Sequence, residues 1–225
     1  MDQTLFHLIN EQWTSPALDL FMAALSSSEI WRSLLITIAV GALFFGGFNA
    51  RAFVICLLMS LLIAEGITSI LKSAIDRHRP KQVQSVRMVE LQRTRPKFMT
   101  LFKKPTIRFS DQSDRNRSGP SFPSGHVTNN TIAAVYLTLF YRRRGWFYWI
   151  IAAAVAYSRI YLGAHWPTDV IATLFLASGE ALLLLGFFEL LWKAAARRWA
   201  PDIYDRHLSL IGNVNSQTGG SVHFR

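Results

Sequence analysis

The sequence predicts an all-α integral membrane bundle of about five transmembrane helices, with N-terminal interfacial helices and a long loop between spans two and three. Three observations predict it. Hydrophobic residues make up 51% of the chain, and they gather into runs approaching the roughly 20 apolar residues that a bilayer span needs. The formal charge is +10, and most of it falls between those runs. Trp146, Tyr148 and Trp149 cluster at the edge of one run, as an aromatic belt does at a membrane surface. The 225 residues suit a single domain, 1–225. Nucleic-acid binding would account for the charge but not for the apolar runs, so no nucleic-acid partner is expected. Cys56 is the only cysteine, which excludes an intramolecular disulfide and a cysteine-based zinc site.

The elements follow in order. Residues 1–28 read as interfacial helices. Leu5, Phe6, Leu8, Ile9 and Trp13 recur at helical spacing on one apolar face. The run from Pro16 to Leu25 is short and contains Asp19, so it suits a surface or re-entrant helix. The opening MDQTLFHLINEQW lacks a basic segment followed by an apolar core and is not expected to be a cleavable signal peptide. The spans are expected at 30–50, 52–74, 124–141, 146–164 and 168–192. The second contains Glu65, and a carboxylate in lipid is costly enough to predict that it faces the bundle interior. Glu180 in the fifth shares a helical face with Asp169, about 16 Å deeper at 1.5 Å per residue. Both acids read as structural. Residues 81–122 form a polar extramembrane loop with ten Lys or Arg against three acidic residues, a net charge of +7. Interleaved apolar residues suit a segment lying on the membrane beside the site. Its Arg93, Arg95, Lys103 and Lys104 are expected to contact a large polyanionic headgroup. Residues 193–225 form a basic, then polar, cytoplasmic tail.

With five spans, the end of span two, the start of span three and the junction of spans four and five share one face. Lys72 and Arg79 close span two, seven apart, so that a continuing helix would stack them. Pro80 disfavours helix at Arg79 and frees that side chain to turn inward. Ser124 is a candidate cap for span three, and Gly125 lets a ligand approach the free N–H groups of a helix N-terminus. His126 follows in the first turn. Arg159, His165 and Asp169 lie around the last junction, where Pro167 suits the first turn of a new helix. An arginine can hold phosphate through two parallel hydrogen bonds, and a carboxylate near an imidazole can hold its tautomer. Taken singly, these residues also fit capping and headgroup contacts. Together they point to phosphate chemistry with no obvious metal site: cations to neutralise the phosphoryl oxygens, a nucleophile in line and an acid opposite.

Lys72 to Pro80 (KxxxxxxRP), Pro123 to His126 (PSGH) and Ser158 to Asp169 (SRxxxxxHxxxD) resemble the three signature motifs of the type 2 phosphatidic acid phosphatase family, complete and in order. The resemblance implies that His165 attacks phosphorus and carries a phosphohistidine, that Asp169 orients it, and that His126 protonates the leaving oxygen and later activates water. It implies phosphate binding by Lys72, Arg79, Ser124, Gly125 and Arg159, a supporting role for Ser158, and neither metal nor cofactor. The loop between the first two motifs is longer than in many small bacterial members.

The function expected is hydrolysis of a lipid phosphate or diphosphate at the membrane surface. Undecaprenyl diphosphate or lipid A 1-phosphate is favoured, ahead of phosphatidylglycerophosphate or phosphatidic acid. The alternatives are a lipid phosphotransferase using the same phosphohistidine and a vanadate-dependent haloperoxidase. A lipid-binding protein with a disabled site fits poorly with two histidines and Asp169 in place. Arg51, Arg142, Arg143, Arg144, Lys193, Arg197 and Arg198 flank the spans opposite the motifs. The positive-inside rule puts that face in the cytoplasm and the motif face outside an inner membrane.

Overall fold

A computed structural model describes residues 1–92, 94, 97–116 and 118–211. Five helices form the bundle: α3 (Ser28–Phe45), α4 (Phe48–Ile75), α7 (Gly125–Tyr141), α9 (Tyr148–Tyr161) and α10 (Pro167–Trp199). By length and composition, α3, α4 with its continuation to Val83, and α10 are long and apolar enough to cross a membrane. The helices α7 and α9 are shorter, at 17 and 14 residues. α7 is central and packs against α4, α9 and α10. Small residues allow those backbones to approach: Ala64, Ala134, Ala177 and Ala181 have no exposed surface, as expected where helices pack without a hydrophobic driving force between them. α3 is the opposite case. It buries none of its residues, and Leu34, Leu35, Ile36, Phe44 and Phe45 all lie exposed. So continuous an apolar surface needs a non-aqueous neighbour.

The first boundary lies earlier than the charge pattern indicates. The break between α3 and α4 falls at Gly46 and Gly47, not at Arg51. A Cβ on Gly46 would lie 2.2 Å from the Ala42 carbonyl oxygen, so the tight turn needs glycine there. Arg51 sits one turn into α4 and reaches back to the Phe44 carbonyl at 3.2 Å, capping the helix it was taken to end. The last bundle helix runs to Trp199, beyond the expected 192, and α11 (Pro201–Arg206) follows. Single-residue breaks at Arg142 and Phe147 flank the short helix α8 (Arg143–Trp146), which turns the chain between α7 and α9. Glu65 is also corrected. It is exposed rather than interior, because Ala64 and Thr68 take the packed face of α4. Glu180 is half-buried, with Oε1 out of contact with solvent and unpartnered.

The N-terminal segments do not lie apart on a surface. α1 (Asp2–His7), continued by a π-turn over Leu8–Gln12, and α2 (Pro16–Ser26) cover the motif end of the bundle. Phe6 is fully buried against Trp166 with ring centroids 5.2 Å apart. Residues 81–122 are more ordered than a loop. From Pro80 on they contain α5 (Pro80–Val83), a 3-10 turn over Lys97–Phe102, α6 (Gln112–Asn116) and an antiparallel pair, β1 (Arg87–Glu90) with β2 (Thr106–Phe109). Asn10 pins this hairpin to the bundle. Its amide donates to the carbonyls of Arg87 at 2.9 Å and Tyr161 at 2.7 Å and accepts the Arg87 N–H at 3.1 Å. The buried Asp19 takes the Arg87 guanidinium and the Tyr161 hydroxyl, both at 2.7 Å. The strand β1 in turn presses on Gly163, which has φ +70° and has Val86 Cγ2 only 3.0 Å from where a Cβ would stand.

Candidate active site

The site is built where four chain segments end. α4 stops at Ile75, and Asp76 takes a left-handed conformation as its cap. Lys72 and Arg79 are therefore not stacked on one continuing helix; a turn carries Arg79 round instead. Arg79 is extended, as the N-cap of α5. Its Nε donates to the carbonyls of Gly119 at 2.9 Å and Pro120 at 3.3 Å, which fixes its guanidinium plane. Its N–H donates to the Gln82 side chain at 2.6 Å, and Gln82 donates to the Ser118 carbonyl at 2.9 Å. The segment before α7 is thus stitched to the segment after α4.

Ser124 stands fully buried at the N-cap position of α7 without a side-chain capping bond, and its N–H donates to Thr173 Oγ1 at 3.1 Å. The Ser124 hydroxyl is buried and has no hydrogen-bond partner. Nothing lies within 4 Å of where a Cβ on Gly125 would stand, so space opens in front of that backbone. Ser158 is buried and donates to the Val155 carbonyl at 2.6 Å within α9. Arg159 lies in the last turn of α9, with one terminal nitrogen on the Ser26 hydroxyl and a buried Nε that has no partner. Buried donors without partners are uncommon in proteins and ask for an explanation. Two of them at one site, a hydroxyl and a guanidinium N–H, suit an oxyanion.

The two imidazoles sit among the same cations: Lys72, Arg79 and Arg159 are close enough to act electrostatically on both His126 and His165. His165 is 3% exposed, and its Nδ1 lies 2.5 Å from the Ser121 carbonyl oxygen. A carbonyl only accepts, so Nδ1 carries the proton and Nε2 is left with its lone pair. Burial, then Arg159 and Arg79, hold the imidazole well below its usual 6.5. His165 is therefore neutral near pH 7, in the tautomer that makes Nε2 nucleophilic.

Asp169 has no exposed surface. It accepts the Ser121 hydroxyl at 2.5 Å, an Arg77 guanidinium N–H at 2.5 Å and the Trp166 N–H at 3.3 Å. The polar atom on His165 Nδ1 is the Ser121 carbonyl, so Asp169 reaches the imidazole through Ser121. Pro167 opens α10 and Asp169 is its third residue, placed for the N-terminal helix dipole and for the cap N–H. Arg77, Ser121 and Asp2 were missed in the sequence. Arg77 lies inside the KxxxxxxRP spacing, and its proximity to a negatively charged partner 92 residues on has no local signal. Among the loop cations expected to face a headgroup, Arg93 and Arg95 fall outside the described residues, while Lys103 and Lys104 are exposed. Two other cations of this loop are paired: Arg87 is tied to Asp19, and Arg108 lies between Glu90 and Asp114. Among the described residues, no group of three or more His, Cys, Asp or Glu is placed to hold a metal ion.

Known proteins share this architecture. The family model described as the PAP2 superfamily matches residues 53–193. An undecaprenyl-diphosphatase of Sulfolobus acidocaldarius is 45% identical over 64 residues, 28% of this chain and 31% of that one. A lipid A 4'-phosphatase of Porphyromonas gingivalis is 32% identical over 92 residues, 40% of this chain and 37% of that one. The chain thus spans about a third of the length of these curated relatives. The crystal structure of Aquifex aeolicus LpxE superposes with a TM-score of 0.57 at 23% identity, over 82% of this chain and 94% of that one. A transmembrane PAP2-type phosphatidylglycerolphosphate phosphatase of Bacillus subtilis superposes with a TM-score of 0.54 at 21% identity, over 83% and 86%. These likenesses show the fold; with the family match, three helices long and apolar enough to cross a membrane mark an integral membrane protein.

The state of His165 has a consequence for stability. Its folded-state pKa lies below the unfolded value, so unfolding takes up a proton once the pH falls below about 6.5. The stabilisation is complete above that pH and is lost as the pH falls, at up to about 1.4 kcal/mol per pH unit. The unfolding midpoint of the detergent-solubilised protein should drop between pH 7 and pH 5 by more than that of His165→Asn. Parallel losses in the two proteins would show that His165 is not the titrating group.

Proposed function

The chain belongs to the PAP2 superfamily, and we propose that it hydrolyses the phosphomonoester or diphosphate headgroup of a membrane lipid through a phosphohistidine, without metal or cofactor. The observation that carries this reading is the pair of buried, unpartnered donors, Ser124 Oγ and Arg159 Nε, in a site where three cations surround two imidazoles. Lys72, Arg79 and Arg159 neutralise the phosphoryl oxygens, with Ser124 and the Gly125 backbone completing the cradle. The lone pair of His165 Nε2 forms a bond to phosphorus as the ester P–O bond breaks. His126, favoured in its protonated form by the bound anion, gives its proton to the leaving oxygen. It then takes a proton from water as water attacks and the P–N bond breaks. Asp169 orients His165. The names of the relatives favour undecaprenyl diphosphate and lipid A phosphates first, then phosphatidylglycerophosphate, and the motif resemblance adds phosphatidic acid.

Phosphate release from a panel of these four lipids by the purified protein is expected in the presence of EDTA. His165→Ala should abolish it, and His126→Ala should lower it by about 10²–10⁴-fold. Near-normal release by His165→Ala would overturn the mechanism. Bromide oxidation with vanadate and peroxide in place of phosphate release would favour the haloperoxidase alternative, and transfer of phosphate to an acceptor other than water the phosphotransferase.

The motif face is proposed to lie outside the inner membrane. The exposed arginines 142–144 between α7 and α9 mark the other face as cytoplasmic by the positive-inside rule. In a variant with Cys56, which is buried, replaced by Ser, a cysteine at the exposed Ser113 should react with an impermeant thiol reagent in intact cells. One at Arg144 should not. The reverse pattern would invert the topology.

A further inference from the structure

We propose that Arg77, held in place by Asp2, is a positioning residue that sets the nucleophile His165 through Asp169 and Ser121; this rests on His165 being the phosphoryl acceptor. The connection is continuous. Asp2 accepts one terminal nitrogen of Arg77 at 2.7 Å, and the other terminal nitrogen of Arg77 donates to Asp169 Oδ1 at 2.5 Å. The second Asp169 oxygen accepts the Ser121 hydroxyl at 2.5 Å, and the Ser121 carbonyl accepts His165 Nδ1–H at 2.5 Å. The Ser121 peptide is held from its other side as well, since its N–H donates to the Arg77 carbonyl at 2.7 Å. Arg77 therefore fixes Ser121 twice, once through its own backbone and once through Asp169.

Asp2 does more than balance a charge. It accepts the Thr168 N–H at 3.1 Å and the Thr168 hydroxyl at 2.7 Å, so it caps the N-terminus of α10, the helix that carries Asp169. The same Arg77 nitrogen that meets Asp169 also reaches Thr168 Oγ1 at 3.0 Å. Phe6 packs on Trp166, and Trp166 Nε1 donates to the His78 carbonyl at 2.9 Å. The first helix, the turn after α4 and the start of α10 are thus joined in one unit that reaches His165 on its Nδ1 side.

This arrangement matters for the reaction at one atom. When Nε2 bonds to phosphorus, the ring becomes an imidazolium that keeps its Nδ1 proton. A carbonyl held at fixed distance keeps that proton in place and steadies the positive charge. If Arg77 is lost, the Asp169–Ser121 link slackens and Nε2 is no longer aimed at phosphorus, while Lys72, Arg79 and Arg159 still bind the anion. The loss should therefore fall on kcat and not on KM.

The test compares Arg77→Gln, Arg77→Lys, Ser121→Ala and Asp2→Asn in the full chain, with the lipid on which the wild type is most active. Arg77→Gln is expected to lower kcat by about 100-fold with KM within about twofold, and Ser121→Ala by about tenfold. Arg77→Lys should recover part of the loss, since it keeps the charge but not the two-pronged geometry. Asp2→Asn should give a smaller loss of the same kind. Vanadate, which bonds to the nucleophile, should inhibit the variants more weakly in step with kcat, whereas the inhibition constant of inorganic phosphate should not change. In the double variant Arg77→Gln/Asp169→Asn the loss should be no greater than in Asp169→Asn alone, because the two residues act as one unit. If Arg77→Gln does not fold, Ser121→Ala and Asp2→Asn carry the comparison. Wild-type kcat in the folded variants beside an inactive His165→Ala overturns the positioning role alone. An active His165→Ala overturns the phosphohistidine reading itself.

Discussion

The buried carboxylate of Asp169 is the constraint on which the rest of the site depends. It has no exposed surface, and a carboxylate in that setting is tolerated only with a counter-charge and filled hydrogen-bonding positions. Arg77 supplies the charge, and Ser121 and the Trp166 N–H fill the remaining positions. Each partner comes from a different segment: the turn after α4, the approach to α7 and the cap of α10. Removing one partner of a fully buried ion pair costs about 3–5 kcal/mol; the Arg77 side chain is 37% exposed, so this pair contributes less, but the segments still do not separate freely. The desolvation that makes the carboxylate expensive is also what makes it a fastener for three elements that share no continuous chain.

The bundle supplies the platform and the N-terminal half supplies the cover. α7 sits at the centre with alanine-rich contacts to its neighbours, and α3 carries an unburied apolar face. All the motif residues then fall at one end of the bundle, where Lys72, Arg79 and Arg159 act on both histidines. That end is closed over by α1, α2 and the β1–β2 hairpin. The buried Asn10 and the Asp19–Arg87 pair hold this cover to α9, and the Ser26 hydroxyl meets Arg159 directly. The cover is therefore part of the wall of the site.

The bundle was legible in the sequence because apolar runs and their flanking charges report lipid contact directly. The motif residues were legible because their spacing is local. Contacts between remote segments were not. Nothing near Arg77 announces a carboxylate 92 residues later. Asp2 and Asn10 looked like polar positions on an interfacial helix, whereas one caps α10 and the other holds a strand. The hairpin escaped notice because its strands are four residues each and neither alternates clearly. Glu65 was placed inside on the cost of a charge in lipid, but small residues won the packed face of α4. The helix break at Gly46 and Gly47 was hidden by a charge at Arg51, which reaches back across the break.

The central claim is that the phosphoryl group passes to His165 before it reaches water. Its most direct test is the stereochemistry at phosphorus, measured with a lipid phosphate made chiral by oxygen isotopes and sulfur, hydrolysed by the wild-type protein in detergent. Two in-line displacements, first by His165 and then by water, predict net retention of configuration. Net inversion would mean a single attack by water and would contradict the account.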